Sequence, residues 1–169
     1  FMWPKSFWYK IYEPFIRKAA GLGIASVEKD KERYEHKYEY CDLLVTGSGP
    51  AGLSSAYSAA KNGAKVILAE DKPRFGGSLL TDDVTIDNLS GKAWADKIIT
   101  ELKEMPNVIV KNRSQVFGYY DHNMMVMFER TGDHLNDKPK YTPRQRLWYV
   151  RAKEVLLSTG SIERPIVFG

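Results

Sequence analysis

The stretch GSGPAG at 47–52 constrains this chain more than any other. Its three glycines, spaced G-x-G-x-x-G between an apolar run and a small-residue run, fit a tight turn from a strand into a helix. "CDLLVTG" (41–47) is too short and too β-rich for a helix and reads as a strand. "PAGLSSAYSAAKNG" (50–63) reads as a helix closed by Gly63, and "AKVILAE" (64–70) as a second strand. A strand–helix–strand unit of about 30 residues forces parallel pairing. In such a turn Gly47 makes the bend, Gly49 lets a pyrophosphate approach the backbone, and Gly52 lets helix pack on strand. Pro50 costs nothing in the first helical turn. The free N–H groups there, around Ala51, face the phosphates, and the helix dipole adds about 0.3–2 kcal/mol.

Glu70 ends the second strand, 18 residues after Gly52, where a carboxylate accepts hydrogen bonds from ribose hydroxyls. Such bonds are worth about 1.5–3 kcal/mol, and the same charge disfavours the 2′-phosphate of NADP. Asp71 follows it. "FGG" at 75–77, with Ser78 next, places the flexible backbone of Gly76 and Gly77 where a dinucleotide would pass. "VLLSTG" (155–160) sets Thr159 and Gly160 at the end of a strand beside the first glycine turn. These residues read the ADP half of a dinucleotide, which NAD and FAD share.

Further along, "GKAWADKIITELKEM" (91–105) is an amphipathic helix with Trp94, Ile98 and Leu102 on one face, and "NVIVKN" (107–112) a third parallel strand. The period then changes to two. Residues 114–130 read as two strands around a turn at Asp121-His122-Asn123, 131–143 as a loop, and 144–160 as two more strands, the last returning to the first sheet. The fold class is α/β: a Rossmann-like FAD/NAD(P)-binding domain, a parallel sheet with an antiparallel β-meander insertion. That plan resembles the two-dinucleotide-binding-domain flavoproteins rather than a classical dehydrogenase.

Residues 1–40 form a separate aromatic-rich helical and linker segment ahead of the domain at 41–169, with seven aromatics in the first fifteen positions. Phe7, Ile11, Phe15 and Ala19 repeat every four residues as a helical face that Pro14 must kink or divide. Packing on a neighbouring domain or subunit is favoured over an interfacial membrane helix. "GLG" at 21–23 ends the element, and the charged run 28–39 reads as an exposed linker.

Composition excludes several classes. Net charge is +4, and the first forty residues hold eight Lys/Arg against six Asp/Glu, so no basic tail points to nucleic acid. No apolar run reaches the ~18 residues of a membrane span. The three histidines lack metal-ligand spacing, so no metal site is expected. Cys41, the single cysteine, permits no internal disulfide and reads as a small buried residue in a reducing, cytoplasmic setting. His122 beside Asp121 is a turn rather than an acid–base pair, since neighbours on a strand point to opposite faces. No catalytic residue is assigned, and Tyr119, Tyr120, Arg146, Glu163 and Arg164 remain candidates for partner or cofactor contacts.

"FMWPKSFWYKIYEPFIRKAAGLG", the glycine fingerprint, "DKPRFGGSLL", "FGYYDHN" and "PRQRLWYVRAKEVLLSTGSIERP" together resemble the alpha subunits of heterotetrameric sarcosine oxidases. Ser48 and Ser158 stand where that pattern expects alanine and read as small, harmless replacements. The resemblance implies an oxidoreductase complex that demethylates sarcosine to glycine with hydrogen peroxide and 5,10-methylenetetrahydrofolate. It implies NAD on Gly47, Gly49, Gly52, Glu70 and Gly76-Gly77, held outside the redox path, with FAD and FMN elsewhere in the complex and tetrahydrofolate as co-substrate. It also implies beta, gamma and delta subunits as partners. By the same resemblance the chain is an internal piece, truncated before the second half of its domain, and inactive alone. An FAD-binding subunit of an opine or proline dehydrogenase, or a non-catalytic nucleotide scaffold, remains an alternative.

Overall fold

A computed structural model describes residues 3–23 and 27–161. Phe1, Glu163 and Arg164 lie outside the described residues. The chain divides into two units, Phe1–Lys31 and Glu32–Gly169.

In the first unit a 3₁₀ turn (Lys5–Phe7) and a π turn (Trp8–Tyr12) lead into α1 (Glu13–Ala19). Pro14 sits in the first turn of α1, where its missing N–H is no loss. It therefore divides the run rather than kinking it, and the turns before it have a different pitch. Gly21, in the left-handed region, ends the helix while Leu22 N–H reaches the Arg17 carbonyl.

The second unit runs β1 (Tyr34–Thr46), α2 (Pro50–Lys61), β2 (Val66–Ala69), a two-strand hairpin β3 (Thr85–Ile86) and β4 (Leu89–Ser90), α3 (Gly91–Glu104), β5 (Val108–Lys111), β6 (Ser114–Tyr120), β7 (Met124–Arg130) and β8 (Gln145–Leu157). One six-stranded sheet has the order β5-β2-β1-β8-β7-β6. β5, β2, β1 and β8 are parallel, and β8-β7-β6 is the antiparallel meander.

Two expectations are corrected. The supposed linker 28–39 is strand from Tyr34 onward, because Tyr34–Cys41 pairs in parallel with Gln145–Ala152. Residues 144–160 hold one strand rather than two: β8 runs unbroken, pairing with β7 along its first half and β1 along its length. Nothing in 144–157 supplies a turn residue, and the strand continues through a change in which positions face the core.

The sheet bends where Asp42 and Leu43 both donate to the Lys65 carbonyl, a bulge that puts Cys41 and Leu44 on one face. The meander thereby closes over the parallel strands, and Leu44, Ile67 and Ala69 share a core with Met125, Met127, Trp148 and Val150. On the opposite face α2 and α3 cover Val45, Val66 and Leu68 with Leu53, Ala56, Trp94, Ile98 and Leu102. Caps fix both helices. Gly63 ends α2 in the left-handed region with Ala64 N–H returned to the Ala59 carbonyl, and the Ser90 hydroxyl accepts from Ala93 N–H at 3.3 Å.

Cys41 is fully buried, and burial pushes its thiol up to about 12. The thiolate that reacts is absent at neutral pH. A thiol reagent is expected to leave the native chain unmodified at pH 8 and to label one site after unfolding, read by intact mass; labelling of the native chain would contradict this burial.

Candidate dinucleotide-binding site

The parallel strands end on one side of the sheet, where β1 turns into α2. Gly47 takes φ +99°, and a Cβ there would run into the Ser158 carbonyl. A Cβ on Gly52 would overlap the Gly47 carbonyl and come within 2.7 Å of Ser158 Oγ. One on Gly77 would lie 2.9 Å from Gly49 Cα. Gly49 differs: nothing among the described residues stands within 4 Å of the place its Cβ would occupy. Three glycines are thus needed for packing, and the fourth leaves an open approach to the backbone. Behind that opening α2 begins with Pro50 and Ala51, both exposed, and its first-turn N–H groups have no intrahelical partner. A cradle without side chains, in front of a helix N-terminus, fits a pyrophosphate.

Two serines that the sequence reading treated as passive hold this cradle together. The fully buried Ser48 gives its N–H (2.9 Å) and hydroxyl (2.5 Å) to Glu70 Oε2. Its hydroxyl and carbonyl oxygens accept the Gly76 N–H at 3.1 and 3.0 Å, which brings the "FGG" loop against the turn. Ser158 Oγ lies 2.9 Å from the Thr46 carbonyl and 3.0 Å from that of Gly47. An alanine at either place would fit by size, so residue size carried no signal of these bonds. Ser48→Ala is expected to destabilise the chain by ~1.5 kcal/mol, because a hydrogen bond to a buried carboxylate is lost. Urea unfolding measures this, and an unchanged midpoint would show that the hydroxyl contributes nothing.

Glu70 is 8% exposed, and its Oε1 accepts the Lys72 N–H at 2.9 Å. A carboxylate offers about four acceptor positions, and the Ser48 N–H, Ser48 hydroxyl and Lys72 N–H occupy three of them. The residue expected to grip a ribose therefore first fastens the turn, leaving one position on Oε1.

The other expected residues group less tightly. Thr159 follows Ser158 along the turn, its Cα 3.4 Å from where a Gly47 Cβ would lie, and Gly160 (φ +69°) has nothing among the described residues within 4 Å of where its own Cβ would lie. Ser78 is the second residue of the short 3₁₀ turn Gly77–Leu80 and is exposed. Asp71 directs its carboxylate to Lys72 Nζ (3.4 Å), while Arg130 Nη2 holds its carbonyl at 2.7 Å. Asp121, His122 and Asn123 form the β6–β7 turn, with Arg151 Nη1 donating to the first two carbonyls. A cleft of about 560 Å³ between residues 73–80 and α3, lined by Arg74, Phe75, Lys92 and Lys103, includes none of the turn's glycines.

Residues 42–129 match the family described as FAD dependent oxidoreductase. The chain belongs to that family. Over all 169 residues this family member is 47% identical to the sarcosine oxidase subunit alpha of Rhizobium meliloti (strain 1021), and it spans 17% of that protein. It is 37% identical over 151 residues to the sarcosine oxidase subunit alpha of Corynebacterium sp. (strain U-96), covering 88% of this chain and 16% of that one. The similarity to these alpha subunits thus covers all or most of the chain, although the chain is a small part of theirs. Among solved structures, L-proline dehydrogenase from P. horikoshii superposes with a TM-score of 0.60 over 84% of this chain and 26% of that one. At 21% identity that likeness shows the fold alone.

Among the described residues no helix is long and apolar enough to cross a membrane.

Proposed function

We propose that this chain is the dinucleotide-holding part of a sarcosine-oxidase-type alpha subunit, with NAD on the glycine turn. The observation that carries this reading is the open backbone at Gly49 within a chain similar throughout to those subunits. Gly49, Ala51 and Gly52 would supply backbone to the pyrophosphate, Gly76, Gly77 and Ser78 the facing loop, and Thr159 and Gly160 the far rim. Pro50 presets the first turn of α2, and the last free position on Glu70, with Asp71 beside it, would take a ribose hydroxyl. The chemistry belongs to flavins held elsewhere in the complex: oxidation of sarcosine to glycine, with hydrogen peroxide formed from oxygen and the one-carbon unit passed to tetrahydrofolate. Beta, gamma and delta subunits complete this cytoplasmic assembly.

A second reading places FAD itself on the turn, as the family's description favours. The ADP half common to both nucleotides meets the same residues. The function is tested by supplying sarcosine, oxygen and tetrahydrofolate to the assembly containing this chain. Sarcosine-dependent peroxide, absent with proline or an opine, supports the proposal. Peroxide-free oxidation of proline or an opine would transfer the chain to the second reading.

A further inference from the structure

β2 meets β1 only at Leu43–Thr46, whereas β1 begins at Tyr34. Between His36 and Tyr40, β8 is the one strand beside β1 among the described residues, and the other backbone edge pairs with no strand among them. Tyr40 N–H turns to the Glu39 carboxylate at 3.0 Å instead of to a strand. An exposed edge is a template for another strand, and proteins that leave one unused blunt it with proline, bulges or inward charges. This stretch has no proline, and its protection lies in inward charges, Glu35, Lys37 and Glu39. Glu35 and Glu39 are each neutralised by a cation, so the edge excludes strands that bring no charge to match Lys37. Its outward row is aromatic: Tyr38, 77% exposed, and His36 both stack on Tyr149, with centroids 5.0 and 5.8 Å apart.

The inward row supplies a charge pattern. Glu35 pairs with Arg146 at 2.8 Å and Glu39 with Lys65 at 2.8 Å. Lys37 between them lies over the Trp148 ring, 5.5 Å from its centroid, adds to the positive field at Glu39, and has no ion pair of its own among the described residues. Lys111 and Arg146 approach the same ring at 5.1 and 5.9 Å. Three cations (Lys37, Lys111, Arg146) against two carboxylates (Glu35, Glu129) leave the cluster with one positive charge in excess. A strand added at this edge would place a side chain opposite Lys37 on the same face.

We propose that the open edge of β1 from His36 to Tyr40 takes up an extended strand of a partner subunit, apolar at alternate positions and carrying an Asp or Glu opposite Lys37. Main-chain hydrogen bonds give this mode its affinity and alternate side chains its specificity. The inference rests on the reading of the chain as one subunit of an assembly.

Residue-resolved hydrogen exchange tests it, comparing the full chain alone with the assembly purified with its other subunits. Alternate amides of 36–40 are expected to exchange freely in the chain alone and about tenfold or more slower in the assembly, while the amides bonded to β8 change little. Lys37→Glu is expected to weaken assembly about tenfold, and Lys37→Arg to preserve it. Equal exchange in both states, no partner in the purified assembly, or indifference to Lys37→Glu overturns the proposal. Protection that instead rises with the concentration of the chain alone would assign the edge to a second copy and also overturns it. Peroxide formation by the Lys37→Arg assembly reads the functional proposal separately: its absence with protected amides would fail that reading and leave this one standing.

Discussion

Gly49→Ala is expected to weaken dinucleotide binding about a hundredfold while leaving unfolding nearly unchanged, the former equivalent to ~2.7 kcal/mol. The asymmetry comes from what each glycine faces. Among the described residues nothing lies within 4 Å of a Cβ at Gly49, and its φ of −68° suits any residue, so the methyl group is expected to meet only the ligand. Replacing glycine by alanine at this helix cap costs at most about 1 kcal/mol. Gly52→Ala is the counterpart, because its methyl would overlap the Gly47 carbonyl. The strand-to-helix crossing must then open, and the expected outcome is a loss of roughly 3 kcal/mol or a failure to fold, in the range of severe overpacking. Calorimetric titration and thermal unfolding of the two variants separate ligand approach from packing. Equal losses of affinity and stability in Gly49→Ala would mean that Gly49 is a packing residue and no ligand passes it. Glu70→Gln is a poorer probe, since it disturbs the bonds to Ser48 and Lys72 as well as any ribose contact.

The second large effect belongs to Glu129, 8% exposed beneath the meander. Its carboxylate accepts Trp148 Nε1 at 2.6 Å, Lys111 Nζ at 3.1 Å and Arg146 Nη1 at 3.0 Å. Burial pushes its carboxyl up, but the indole N–H and the two cations together outweigh it and hold the group below its ordinary 4.5. Glu129→Gln leaves two partly buried cations short of a counter-charge and is expected to destabilise the chain by ~3 kcal/mol, the low end for breaking a buried pair. The pH dependence has a definite sign. A carboxyl lowered in the folded state contributes its full stability above its unfolded value and loses it as pH falls through the folded one. Wild-type stability should therefore decline below about pH 4.5 more steeply than that of Glu129→Gln. Parallel pH profiles would show that Glu129 is not stabilised by this cluster.

Much of the fold was legible because its signals are local. The G-x-G-x-x-G spacing, the closing Gly63 and the Trp94, Ile98, Leu102 stripe each specify an element without reference to the rest of the chain. The first half of β1 was not legible. Tyr34–Tyr40 alternates aromatic and charged residues, a pattern shared by an exposed linker, and only pairing with a strand 111 positions later makes it regular. β8 was cut in two for a related reason: its inward positions pass from 148, 150 and 152 to 155 where the sheet bends, and that change of parity resembles a break. Within the site, the glycines announce themselves through steric need. Ser48 and Ser158 do not, since their contribution lies in hydroxyl bonds to groups 22 and 112 residues away. Glu70 was found by its place at the strand end, but its commitment to Ser48 follows only from the turn's geometry. The Glu129 cluster joins β7 and β8 with a lysine from β5, so no window of sequence contains it.

Mass spectrometry of the nucleotide released on denaturing this chain, purified within its assembly and then separated from the other subunits, tests the central claim most directly. The account predicts NAD, at about one per chain, lost in the Gly49→Ala variant. FAD in its place would keep the site and overturn the NAD assignment. A folded chain that releases no nucleotide would contradict the claim that this glycine turn is a dinucleotide site.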